Sequence, residues 1–128
     1  MPLQLPRDPL IREFVSEYAA VRLTVTGSCM IPHFRHGDIV EVRSVRLGAP
    51  QPGDVVLIDV NGALKLHRLE KIGRAFVRTA TEAGRVDPLM PRGNVLAVLT
   101  RVNGVPFYRR GVFERLRVRA ARAMRRVV

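Results

Sequence analysis

Cysteine is almost absent from this chain: Cys29 is the only one among 128 residues. A lone thiol excludes an intramolecular disulfide framework and agrees with a reducing compartment. Tryptophan is missing and aromatic residues make up 5% of the chain. No apolar run approaches the ~18 residues that a membrane-spanning helix needs. Met1-Pro-Leu-Gln-Leu-Pro-Arg-Asp8 lacks the basic stretch followed by an apolar one that marks a secretory leader. The expectation is a soluble or peripheral, cytoplasmic protein. Acids are scarce too, 11 against 22 basic residues, for a formal net charge of +11. Hydrophobic residues at 47% nevertheless support a globular core, and the length suits a single domain over 1–128.

Gly and Pro punctuate many short apolar segments. Val21 to Thr26 alternates and reads as a strand, and Ile39-Val-Glu-Val42 as another, entered through the turn His36-Gly37-Asp38. Pro52-Gly53-Asp54 leads into Val55–Val60, and Asn61-Gly62 is a type I′ signal that returns the chain along Ala63–Leu69. On that return strand Lys65, His67 and Leu69 share one face, and Leu64, Leu66 and Arg68 the other. Leu69 to Arg78 forms a further hairpin turning at Gly73-Arg74, and Val95–Val102 is a nearly continuous apolar strand closed by Asn103-Gly104. This pattern predicts a mainly β fold, a coiled sheet or partly open barrel, over 21–102.

The two ends read differently. Asp8 to Ala20 predicts a short amphipathic helix, with Asp8 as N-cap, Pro9 in its first turn and a stripe of Leu10, Ile11, Phe14, Val15 and Tyr18. From 107 to 128 apolar residues recur at helical spacing between arginines, and 101–128 carries nine arginines against the single acid Glu114. A basic amphipathic helix of this kind suits an anionic membrane surface or an acidic partner more than nucleic acid. The plainer alternative is a helix whose apolar side packs on the sheet. Only Lys65 and Lys71 among the basic residues are lysines, so the arginine richness can also reflect genome composition.

Two residues carry chemistry of interest. Cys29 lies between Gly27 and Pro32, where it is either a small buried hydrophobe or a nucleophile awaiting a base. His67, 38 positions on, is either a structural strand histidine or that base. His33 and His36 beside Cys29 match no common zinc spacing and lack a fourth ligand, so neither a metal nor any other cofactor is implied.

The blocks Gly27-Ser-Cys-Met30-x-Pro32, Gly37-Asp38-Ile-Val, Gly53-Asp54-Val-Val and His67-Arg68 resemble, in that order, the serine peptidase superfamily of signal peptidase I and the LexA-type self-cleaving repressors. The resemblance covers about residues 24–102. It implies a nucleophile before Met30, where this chain has Cys29 in place of serine, and a general base at His67, as in the branch whose base is a histidine followed by arginine. That register favours His67 over Lys65. Ser28, Met30 and Pro32 would line the cleft, and the Cys29 backbone N–H would form the oxyanion hole with a second donor that is either another backbone group or the Ser28 hydroxyl. An orienting acid is expected downstream, with Asp87 favoured over Glu82, although Asp87-Pro88 also reads as an ordinary turn. The implied function is peptidase-like cleavage of an extended leader or signal-type peptide held against a strand edge. The alternative is a non-catalytic relative that binds a peptide or partner protein in the same cleft. Neither a membrane anchor nor a helix-turn-helix fits in the first 20 residues, unlike signal peptidases and repressors respectively.

Overall fold

In the computed structural model the described residues are 13, 15, 17–25, 34–81 and 84–107. They form one antiparallel sheet, open at both sides, with strands β1 (Ala20–Thr24), β2 (Ile39–Ser44), β3 (Val55–Val60), β4 (Ala63–Ile72), β5 (Phe76–Ala80), β6 (Met90–Pro91), β7 (Val95–Val102) and β8 (Val105–Pro106). The spatial order is β1-β2-β7-β3-β4-β5-β6, with β8 folded back on β7. The sheet curls into a half-barrel, so the mainly β expectation holds.

The apolar run of β7 has its cause in this topology. β7 is inserted between β2 and β3 and is covered on both faces, so Val95, Leu96, Ala97, Val98 and Leu99 are all buried. β3 does the same: Val55 and Leu57 enter one apolar cluster with Val40, Val42, Leu64, Leu66 and Phe34, while Val56 and Ile58 enter a second with Leu69, Val77 and Met90. Two small cores thus share one sheet; along β3 strand alternation decides which core a side chain joins, whereas in β7 the alternation breaks at Leu96 and Ala97, which both join the first. Register shifts in β2–β7, β3–β7 and β4–β5 mark irregularities of the kind that let a sheet bend.

The two Gly-Asp pairs turn out to be one device used twice. Gly37 and Gly53 have φ of 91° and 94°, the left-handed value needed at the third position of a type II turn, and Pro52 supplies the fixed φ preferred at the second. Each aspartate then closes its turn in two ways. Its amide donates to the carbonyl three residues back, Asp38 to Arg35 at 3.0 Å and Asp54 to Gln51 at 3.0 Å. Its Oδ2 accepts the amide of that same residue, at 2.8 Å from Arg35 and 2.7 Å from Gln51. β2 and β3 therefore start from identical clamps.

The hairpin β3–β4 has the expected register, with Val60 opposite Ala63 and Val56 opposite His67, around Asn61 and Gly62 at φ 51° and 85°. Some boundaries differ. β4 runs on to Ile72, and β2 ends at Ser44, where Val45–Leu47 makes a 3₁₀ turn. Ala20 belongs to β1, not to the preceding helix. Glu13, Val15 and Glu17 are helical with only Val15 buried, while Tyr18, assigned to the apolar stripe, is half exposed, because a bend at 18–19 has already turned the chain toward β1. Phe107 is not helical. Its amide bonds to Thr100 O at 2.8 Å and its ring sits 6.3 Å from that of Phe34, extending the β7–β8 hairpin over the first core. The rest of the Arg-rich segment, and most of the N-terminal one, lies outside the described residues. Among the described residues no helix is long and apolar enough to cross a membrane.

The turn geometry gives a direct test. Gly53→Ala forces a β-carbon into the left-handed region and should lower unfolding free energy by about 1–2 kcal/mol. At Gly93 an added β-carbon would meet nothing within 4 Å and the backbone is not left-handed, so alanine there should cost no more than about 0.5 kcal/mol. Urea denaturation of both variants reads the difference.

Candidate active site

His67 sits near the middle of β4, opposite Val56, on the strand face that contributes Leu69 to the second core. Its neighbours on the other face, Leu64 and Leu66, belong to the first core. The alternation that buries those leucines therefore turns His67 inward, and it is only 4% exposed. A buried imidazole needs hydrogen-bond partners on its ring nitrogens.

One partner comes from the segment after β5. Thr81 N bonds to Arg85 O and Gly84 N to Thr81 O, both at 2.9 Å, with Gly84 at φ 88°. This reverses the chain so that Val86 bridges Ala80 and the amide of Asp87 donates to Thr79 O at 2.8 Å. Asp87 is thus held in an extended segment beside β5 and is not the turn residue that Asp-Pro alone suggests. Its Oδ2 lies 2.6 Å from His67 Nδ1 and accepts the Thr79 hydroxyl at 2.7 Å.

An ionised carboxylate only accepts, so in the neutral imidazole that pairs with it Nδ1 is the donor and Nε2 presents a lone pair. Nε2 is itself buried and has no hydrogen-bond partner among the described residues. An unmet buried acceptor costs about 1–3 kcal/mol, and among the described residues this is the one buried side-chain nitrogen or oxygen in that position. An imidazole fixed on one nitrogen by an acid, with the other nitrogen unsatisfied, is equipped to take a proton from a nucleophile.

Of the residues singled out in the sequence, the structure joins His67 to Asp87. Lys65 shares the His67 face, opposite Ile58, but it is the histidine that the Asp87 carboxylate meets, with the Thr79 hydroxyl on that carboxylate. Arg68 points to the opposite face, with Nε 3.2 Å from Glu70. Ser28, Cys29, Met30, Pro32, His33 and Glu82 lie outside the described residues. Among the described residues no group of three His, Cys, Asp or Glu side chains converges as a metal site would. Thr79 is a site residue that motif spacing does not single out. The available signal is its place two residues after Val77 on β5, which puts it on the inward face, where a fully buried hydroxyl has to find an acceptor.

No curated protein matches the chain. A model of the peptidase S24-like family matches residues 4–78, more than half of the 128 residues, and the matched span contains both Gly-Asp turns, the β3–β4 hairpin and His67. The chain therefore belongs to the peptidase S24-like family.

Proposed function

We propose that the chain is a peptidase of the Cys-His type, in which Cys29 attacks a peptide bond of an extended leader or signal-type substrate and His67 serves as its general base. The supporting observation is the buried His67 Nε2, oriented through Nδ1 by Asp87 and left without a partner among the described residues. Family membership supports peptidase ancestry, and the motif resemblance puts the nucleophile at the position before Met30.

In this reading Nε2 takes the proton from the Cys29 thiol, and the thiolate adds to the scissile carbonyl carbon. Negative charge gathers on the carbonyl oxygen, facing the Cys29 backbone N–H and the Ser28 hydroxyl. Collapse breaks the C–N bond, with the Nε2 proton passing to the departing amine. The thioester is then hydrolysed by a water that gives its proton to Nε2, and that proton returns to the thiol as the acid leaves. Met30 and Pro32 supply apolar walls that exclude bulk water. Thr79 and Asp87 take no part in bond making. They hold the ring in the tautomer with Nε2 open and stabilise the imidazolium that forms twice per turnover.

Iodoacetamide labelling tests the dyad without a known substrate. Cys29 should be alkylated at pH 7 at least tenfold faster in the unaltered chain than in His67→Ala, because only the thiolate reacts and a neighbouring imidazole raises its fraction. Equal rates would sink the peptidase reading and leave a non-catalytic peptide-binding relative.

The orienting pair gives a second test. Asp87→Asn replaces an acceptor by an amide that can donate to Nδ1 and so favours the wrong tautomer, and should lower any peptide hydrolysis by about 10²–10⁴-fold. Thr79→Val should lower it by a smaller factor, with Thr79→Ser restoring most of the rate in the same assay.

A further inference from the structure

β2 and β7 are antiparallel neighbours, with Ser44 at the end of β2 opposite Ala97 near the start of β7. The turns that follow β2 and precede β7 therefore meet at one rim of the sheet. Both are short 3₁₀ turns, Val45–Leu47 and Arg92–Asn94, and each carries one arginine, Arg46 or Arg92. Between them lies a cleft of about 560 Å³, within the size range of small-molecule sites. Val45, Ala49 and Pro50 give it apolar walls from the chain after β2, and Val95 and Leu96 from β7.

Among the described residues the polar side chains lining the cleft are Ser44, Arg46 and Arg92, and their chemistry is one-sided. Each guanidinium is steadied by a single bond to a backbone carbonyl: Arg46 Nη2 donates to Glu17 O at 2.9 Å, and Arg92 Nη1 to Gly73 O at 3.0 Å. A guanidinium has five N–H donors, and among the described residues neither has a second partner or an acid paired with it. Ser44 is only 4% exposed, and its Oγ accepts Arg46 N at 3.2 Å, which leaves the hydroxyl proton to give. Two cations and a buried hydroxyl thus offer donors, and none of the lining side chains is an acid. A neutral guest meets few of those donors, whereas an anion meets them with charge-assisted bonds.

We infer that this cleft is a binding site for an organic carboxylate, an acid group carried on an apolar body. The guanidinium fork matches the two oxygens of a carboxylate, and the apolar walls hold hydrocarbon that a bare anion lacks. The site is separate from His67. In the strand order β2-β7-β3-β4 it opens at the β2–β7 end, and none of Thr79, His67 and Asp87 lines it. Its occupancy is independent of any chemistry at Cys29.

Amide-detected NMR titration of the full chain compares cinnamate with its neutral analogue cinnamamide and with inorganic phosphate, in about 150 mM salt to screen long-range attraction to a basic surface. Cinnamate should saturate at millimolar concentration or below and shift the amides of Ala49, Gly93 and Leu96, with cinnamamide and phosphate each at least about tenfold weaker. Arg46→Gln and Arg92→Gln should each weaken cinnamate by about fivefold or more. Arg101→Gln, near the far end of β7 and about 20 Å from Val95, should leave it unchanged. Thermal denaturation checks that the variants fold, and the comparison of acid with amide on the unaltered chain needs no variant. The inference is overturned if cinnamate gives no localised shift up to about 10 mM, or if cinnamamide or phosphate binds as tightly as the acid. It is overturned equally if a folded Arg46 or Arg92 variant loses no more affinity than Arg101→Gln.

Discussion

The bond between His67 Nδ1 and Asp87 Oδ2, 2.6 Å long, is the constraint on which the site's chemistry depends. It brings together two strands' worth of folding. β4 must run in a register that turns His67 inward, and the chain after β5 must double back tightly enough to lay Asp87 alongside Thr79. A slip of one residue in either ladder would carry the imidazole or the carboxylate to the opposite face. The cores guard against such a slip, because it would also move Leu64, Leu66 and Leu69 into the wrong cluster. Hydrophobic sorting and the orientation of a polar pair are therefore one and the same selection of register.

Carrying two cores on one sheet has a cost and a use. Neither cluster is large, and both rely on β3 and β7 to contribute side chains to each face, which demands the continuous apolar runs Val55–Ile58 and Val95–Leu99. The use lies in placing an inward-facing polar pair at the periphery of the second core, where apolar neighbours keep water from the ring. Asp87 retains 20% side-chain exposure, so the acid end of the pair stays near solvent while the basic nitrogen does not.

Much of this is legible in the sequence where local chemistry dictates geometry. Asn61-Gly62 and Asn103-Gly104 specify their hairpins through left-handed φ values, the apolar run of β7 predicts a strand buried on both faces, and the alternation along β4 puts His67 on the face away from Leu64 and Leu66. Asp87 is visible as a candidate acid only through family likeness, since the turn at Thr81–Arg85 that directs it back along β5 has no strong signature beyond Gly84. Thr79 is legible only in part: alternation after Val77 puts it inward, but its role depends on which residue lies across from it after that reversal. Nor does the sequence distinguish the Gly-Asp pairs as clamps from the Gly-Asp pairs as a family signature. Tyr18 and Phe107 carry helical spacing yet are not helical, because apolar spacing alone does not register where a strand pairing takes over.

The two rims of the sheet are chemically unequal. β6 is two residues long and one of them is Pro91, which has no amide hydrogen to offer a neighbouring strand. β1 is five residues without proline and, among the described residues, pairs with β2 alone. Among the described residues the backbone hydrogen-bonding capacity of the sheet's rims is thus one-sided: Ala20–Thr24 keeps a run of amides and carbonyls along its outer side, and Met90–Pro91 has no equivalent ladder.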